Sequence, residues 1–199
     1  MTLKESPSQT AGPYVHIGCT PNATGLPFAA QDLGSSLITG PAKGTAITIT
    51  GTVFDGAGAP LLDAMVEIWQ ADADGLFASA LETRGTPDPN FTGWGRAASD
   101  METGAFTFET VKPGAAPLSD GRLQAPHVTF WIVARGINIA LQTRMYFPEE
   151  TDANATDPLL SALPDRSRIA TLLAERDDTN SYRFNIRLQG TDETVFFDI

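Results

Sequence analysis

One cysteine, two histidines and three tyrosines in 199 residues leave this chain few side chains able to hold a transition metal. Cys19 alone excludes an intramolecular disulfide and any multi-cysteine zinc or iron–sulfur centre, and it fits the reducing cytoplasm. Positive charge is equally scarce. Thirteen Lys and Arg face 24 Asp and Glu, a formal charge of −11 that repels nucleic-acid phosphates and anionic lipid, so neither is expected as a partner. The longest apolar run, around Val128–Ala134, falls well short of the ~20 residues a membrane-spanning helix requires. Met1–Pro7 lacks the basic-then-apolar order of a secretory leader, and a cytoplasmic location is expected. There is no Gly-x-Ser-x-Gly elbow, no phosphate-cradling loop ending in Lys-Ser/Thr and no dinucleotide fingerprint after a strand, which removes the serine-hydrolase and nucleotide-binding readings.

What is present is glycine and proline, 18 and 14 residues, beside 42% hydrophobic and 19% charged residues, the composition of a turn-dense globular domain. From Ile47 the order Ile-Thr-Ile-Thr-Gly-Thr-Val-Phe alternates apolar with polar and β-branched residues, then breaks at Asp55-Gly56-Ala57-Gly58, which predicts a strand entering a hairpin with Leu61–Ala71 as its second arm. Phe106–Val111, His127–Ala134, Leu141–Phe147, Tyr182–Leu188 and Thr194–Asp198 are further strand candidates. Helical spacing occurs only between Asp157 and Arg176, split by Pro164. The stretch Asp72–Asp100 reads as one long loop, and residues 1–46 as an extended arm that orders by packing on a surface. The expected fold is therefore mainly β: a β-sandwich core over residues 47–199 with a long N-terminal arm (1–46) packing on a surface, its own or a neighbour's, long loops and one or two short helices.

Several blocks carry more than fold. They are Gly51-x-Val53-x-Asp55-x-x-Gly58-x-Pro60, Ala64-x-Val66-Glu67-Ile68-Trp69-Gln70-Ala71-Asp72-x-x-Gly75, Thr110-Val111-Lys112-Pro113-Gly114 and Pro126-His127-Val128-Thr129-Phe130. In this order they resemble the intradiol ring-cleaving dioxygenases. The arm Ser6–Gly18, the segment Ala134–Ile139 and the ending from Tyr182 to Asp198 resemble the α-type chains of that family, so the resemblance spans nearly the whole sequence.

The resemblance implies a ferric ion held by two tyrosinates and two histidines, a set in which anionic oxygen suits hard Fe(III). Carried over position by position, it leaves Phe77 in place of the first tyrosine, Ala116 in place of the second, and His127-Val128-Thr129 in place of His-x-His. Neither a metal ligand set nor a catalytic residue is therefore expected here, and His127 reads as a hydrogen-bonded structural histidine. The resemblance places Fe(III) on a partner β-type chain and gives this chain the task of completing that partner's pocket around a catecholic aromatic substrate. Thr10, Gly12 and Pro13 match the arm segment that reaches the partner's site, and Arg135 matches an α-type arginine. At a strand end Arg135 serves equally well in forked recognition of an anion or in an ordinary salt bridge. Two rival readings remain: a stand-alone β-sandwich binding or structural protein, and a rearranged iron site built from His127, His16 and Glu67.

Overall fold

The computed structural model describes residues 10–198 apart from 27 and 139. Met1–Gln9, the first part of the expected arm, and Ile139 lie outside the described residues. The strands are β1 (Ala46–Phe54), β2 (Met65–Trp69), β3 (Trp94–Ala98), β4 (Ala105–Val111), β5 (Ala116–Pro117), β6 (Leu123–Gln124), β7 (His127–Val133), β8 (Leu141–Tyr146), β9 (Glu175–Asp178), β10 (Ser181–Arg183) and β11 (Ile186–Arg187). Helices are short: α1 (Pro13–Cys19), α2 (Thr151–Thr156) and α3 (Pro158–Ser161), with 3₁₀ turns at Pro21–Thr24 and Arg166–Leu172.

Two sheets face each other. In the first, β1 pairs antiparallel with β4 on one side and parallel with β10 and β11 on the other, with β9 outside β10. In the second the order is β3-β2-β7-β8. Alternation along β1 sends Ile47, Ile49 and Val53 inward and the threonines outward, as the two-residue period of a strand requires. Gly51 occupies an inward position because a Cβ there would lie 2.0 Å from the carbonyl oxygen of Phe184. Across the layer Val66, Ile68, Val128, Phe130 and Ile132 close the core. Phe106, Phe108 and Phe184 ring Phe130 with centroids 5.2–6.4 Å from it in tilted or edge-on pairs, the arrangement aromatic quadrupoles prefer.

Four local expectations are corrected. The turn after β1 forms, with Asp55 accepting from the Ala57 and Ala59 amides, but β1 and β2 do not make a hairpin. The returning chain makes one bridge, Phe54 to Pro60, flanked by bonds from the Asp55 amide to the Ala59 carbonyl and from the Leu61 amide to the Val53 carbonyl, and then crosses to the other sheet. The long loop contains a strand, β3, which has no β-branched residue and whose Gly95 is fixed by Leu37, 2.5 Å from where a Cβ would stand. Thr194–Asp198 forms no strand and instead bonds irregularly to Gln142, Thr143 and Arg187. At the C-terminal end of the expected helical stretch, Glu175–Asp178 is the exposed, highly charged edge strand β9, a composition that discourages edge-to-edge pairing.

The described part of the arm is not uniformly extended. It forms α1 and a 3₁₀ turn and then runs past β3, where the Arg96 and Thr92 amides donate to the Gly34 and Leu37 carbonyls and Leu37 enters the core.

Candidate functional site

The residues predicted to serve a substrate meet at one corner of the sandwich. Beyond β7 the chain turns through Gly136 at φ +87, a left-handed conformation suited to glycine. The Thr10 hydroxyl accepts from the Gly136 amide at 2.9 Å and donates to the Ala134 carbonyl at 3.5 Å, so the arm is pinned on both sides of Arg135. Arg135 reaches Asp63 at 3.1 Å, yet its side chain is 79% exposed and its guanidinium remains open to solvent. Asp63 also anchors α1: its carbonyl accepts from His16 Nε2 at 2.9 Å, while His16 Nδ1 accepts from the Thr20 hydroxyl at 2.9 Å. Gly12 precedes Pro13, whose fixed φ suits the first position of α1. A Cβ on Gly12 would meet nothing within 4 Å, so this chain's own packing does not require glycine there. Gly12 and Arg135 line one cavity. Asp63 was missed by sequence reasoning, since nothing in Leu61-Leu62-Asp63 signals a partner so distant along the chain.

The positions that hold iron in the resembling family gather at the opposite end of β7. His127 opens that strand, and Thr129 pairs with Trp69, which stacks on Phe77 with centroids 6.0 Å apart and planes 9° from parallel. Ala116 pairs with Gln124, whose side-chain oxygen accepts from Arg144 at 2.7 Å, and Arg144 is the cross-strand neighbour of Thr129. These four positions do not fit ferric iron. Phe77 and Ala116 have no donor atom and Thr129 offers only a neutral hydroxyl. His127 donates Nδ1–H to the Ala125 carbonyl at 2.8 Å, which leaves Nε2 as the one strong donor atom among the four positions, too few to hold the ion. Burial, reinforced by nearby Arg144, holds the His127 pKa down at about 4 against the pull of the Ala125 bond and Asp157. The adjoining Tyr146 phenol is pushed well above its usual range, chiefly by burial and then by Asp157, so it is neutral too. Among the described residues no group of three or more His, Cys, Asp or Glu side chains is arranged to hold a metal.

The rival iron site fails on geometry. His16 is tied to Asp63, which directly precedes the Ala64-Met65 start of β2 beside Val133, while His127 lies at the other end of β7. At about 3.3 Å per residue the two ends of β7 are about 20 Å apart. Glu67 is engaged by Arg96 at 2.6 Å.

A sandwich with a family metal end and an arm-bearing corner matches the family to which the sequence points. A family profile described as Dioxygenase matches residues 27–190, and the chain belongs to the intradiol dioxygenase family. It is 44% identical to the protocatechuate 3,4-dioxygenase alpha chain of Pseudomonas putida over 98% of this chain and 97% of that one. It is 33% identical to the protocatechuate 3,4-dioxygenase beta chain of Burkholderia cepacia over 84% of this chain and 77% of that one. The dioxygenase domain of a dioxygenase carbohydrate-binding protein fusion from Streptomyces sp. SirexAA-E superposes with a TM-score of 0.54 and 25% identity, covering 81% of this chain and 88% of that one.

Proposed function

We propose that this chain is the α subunit of a cytoplasmic protocatechuate 3,4-dioxygenase and that Thr10, Gly12, Pro13 and Arg135 complete the pocket of an iron-bearing β subunit. The observation that carries this reading is the separation of the two ends of β7. The residues proposed to address a substrate sit about 20 Å from the family's metal positions, which supports a role at another chain's site rather than at one on their own chain. Exposed apolar side chains on the described arm, Tyr14, Leu26, Phe28 and Leu33, support burial against a partner.

In the assembled enzyme the partner's ferric ion supplies the chemistry by which O2 cleaves the bond between the hydroxyl-bearing carbons of protocatechuate, giving 3-carboxy-cis,cis-muconate. This chain's residues do the enclosing. Thr10 fixes the arm to the Arg135 corner, and Gly12 lets a flat ring approach the backbone. Pro13 stiffens the entry to α1. Arg135, steered but not buried by Asp63, meets the substrate carboxylate or a carboxylate of the pocket wall with its forked donors. The test is Arg135→Ala in the coexpressed complex: KM for protocatechuate rises at least tenfold with iron content unchanged. An unchanged KM would remove Arg135 from the pocket.

A further inference from the structure

Arg135 stands on the turn after β7, outside the sheet ladder, with its side chain largely in solvent. A long side chain in that setting has many rotamers open to it, so the direction of its guanidinium must be set by a neighbour. Among the described residues the one carboxylate that reaches it is Asp63, whose Oδ2 lies 3.1 Å from Arg135 Nε. Asp63 is itself firmly held. Its carbonyl accepts from His16 Nε2, and the next residue, Ala64, is fully buried with its carbonyl accepting from the Ser99 amide at 2.8 Å. His16 is buried in turn and bonded through Nδ1 to Thr20. The ion pair therefore joins an anchored carboxylate to a solvent-exposed guanidinium.

We infer that Asp63 is a positioning residue for substrate recognition: it holds the Nε edge of Arg135 and leaves the terminal Nη1–Nη2 edge to the carboxylate of the aromatic substrate. The inference rests on the functional reading above and deepens it, by giving the free edge to the substrate rather than to the pocket wall. A guanidinium is planar and rigid, and each of these edges presents two parallel N–H groups that match a carboxylate. Asp63 engages one edge from the protein side, since its own side chain is 26% exposed against 79% for Arg135, and the other edge is left to face outward. Gly12, where a flat ring can approach the backbone, lines the same cavity as Asp63 and Arg135, so ring and carboxylate are met within one space.

Asp63→Asn in the complex coexpressed with the β-type chain tests this. The variant loses the charge but keeps the main-chain carbonyl that accepts from His16, so α1 stays seated. KM for protocatechuate rises about three- to fivefold, the bias an exposed ion pair exerts on a conformation, while kcat changes less than about twofold and iron content is constant. The inhibition constant of catechol, the same ring without the carboxylate, does not move. In an Arg135→Ala background Asp63→Asn has no further effect, because the guanidinium through which it acts is gone. An unchanged or lowered KM in Asp63→Asn, with Arg135→Ala still raising it, would overturn the positioning role. So would a rise that persists in the Arg135→Ala background, which marks a structural effect, or catechol inhibition that weakens in step with KM, which assigns the free edge to the pocket wall. An unchanged KM in Arg135→Ala itself would instead remove the functional reading on which the inference rests.

Discussion

His127 lies where the family has a metal ligand, and its state can be read from the pH dependence of stability. The folded chain holds this imidazole at about pKa 4, whereas the unfolded chain returns it to the ordinary 6.5. Below pH 6.5 the unfolded state binds a proton that the folded state refuses, so stability is full above 6.5 and declines as pH falls toward 4. At 1.36 kcal/mol per pH unit, the loss between pH 7.5 and 4.5 is about 2.5 kcal/mol, because folded His127 is still mostly neutral at the lower value. The perturbation is His127→Asn, which can keep a donor toward the Ala125 carbonyl but does not titrate. Denaturant unfolding of both proteins across this range isolates the histidine from the many carboxylates, which contribute to both alike. The stability advantage of the unaltered chain over the variant shrinks by about 2.5 kcal/mol as pH falls. An advantage constant to within about 0.5 kcal/mol would refute a neutral, buried His127.

The other expectations are local. Thr10→Val removes both bonds that pin the arm beside Arg135. Hydrogen exchange at Gly136 accelerates in the isolated chain, and the coexpressed enzyme shows a raised KM with little change in thermal midpoint. Arg135→Ala costs the isolated chain less than about 1 kcal/mol, since an ion pair so exposed contributes little, and denaturant titration measures it. Gly51→Ala destabilises by about 3 kcal/mol in the same titration, as its Cβ collides with the Phe184 backbone. Asp157→Ala costs about 3 kcal/mol, because this fully buried carboxylate caps α3 through the Leu159 and Leu160 amides and also accepts from Ala125.

Legibility followed the range of each interaction. Alternation in Ile47–Val53 and in His127–Val133 announced β1 and β7 directly, and the shared family blocks announced the sandwich. Met65–Trp69 was legible as a strand but not in its pairing, which is with β3 and β7, both farther along the chain. β3 was invisible because Trp-Gly-Arg-Ala-Ala has one strand-favouring residue, Trp94, and no alternation; it forms between β2 and the Gly34–Leu37 segment. At the candidate site, the losses at Phe77, Ala116 and Thr129 could be read one residue at a time. The meeting of Thr10, Asp63 and Arg135 could not, since each contact joins segments with no common local pattern. The same holds for Arg144, which reaches Gln124 beside His127 only once β7 and β8 have paired.

The role proposed for this chain is to hold no iron and to complete a partner that does. Its most direct test is iron content, visible absorption and oxygen uptake on protocatechuate, measured on the chain purified alone and again after coexpression with a β-type chain. The expected result is a colourless, iron-free and inactive chain alone, and a coloured, active complex carrying one iron per αβ pair. Stoichiometric iron with turnover by the lone chain would contradict it.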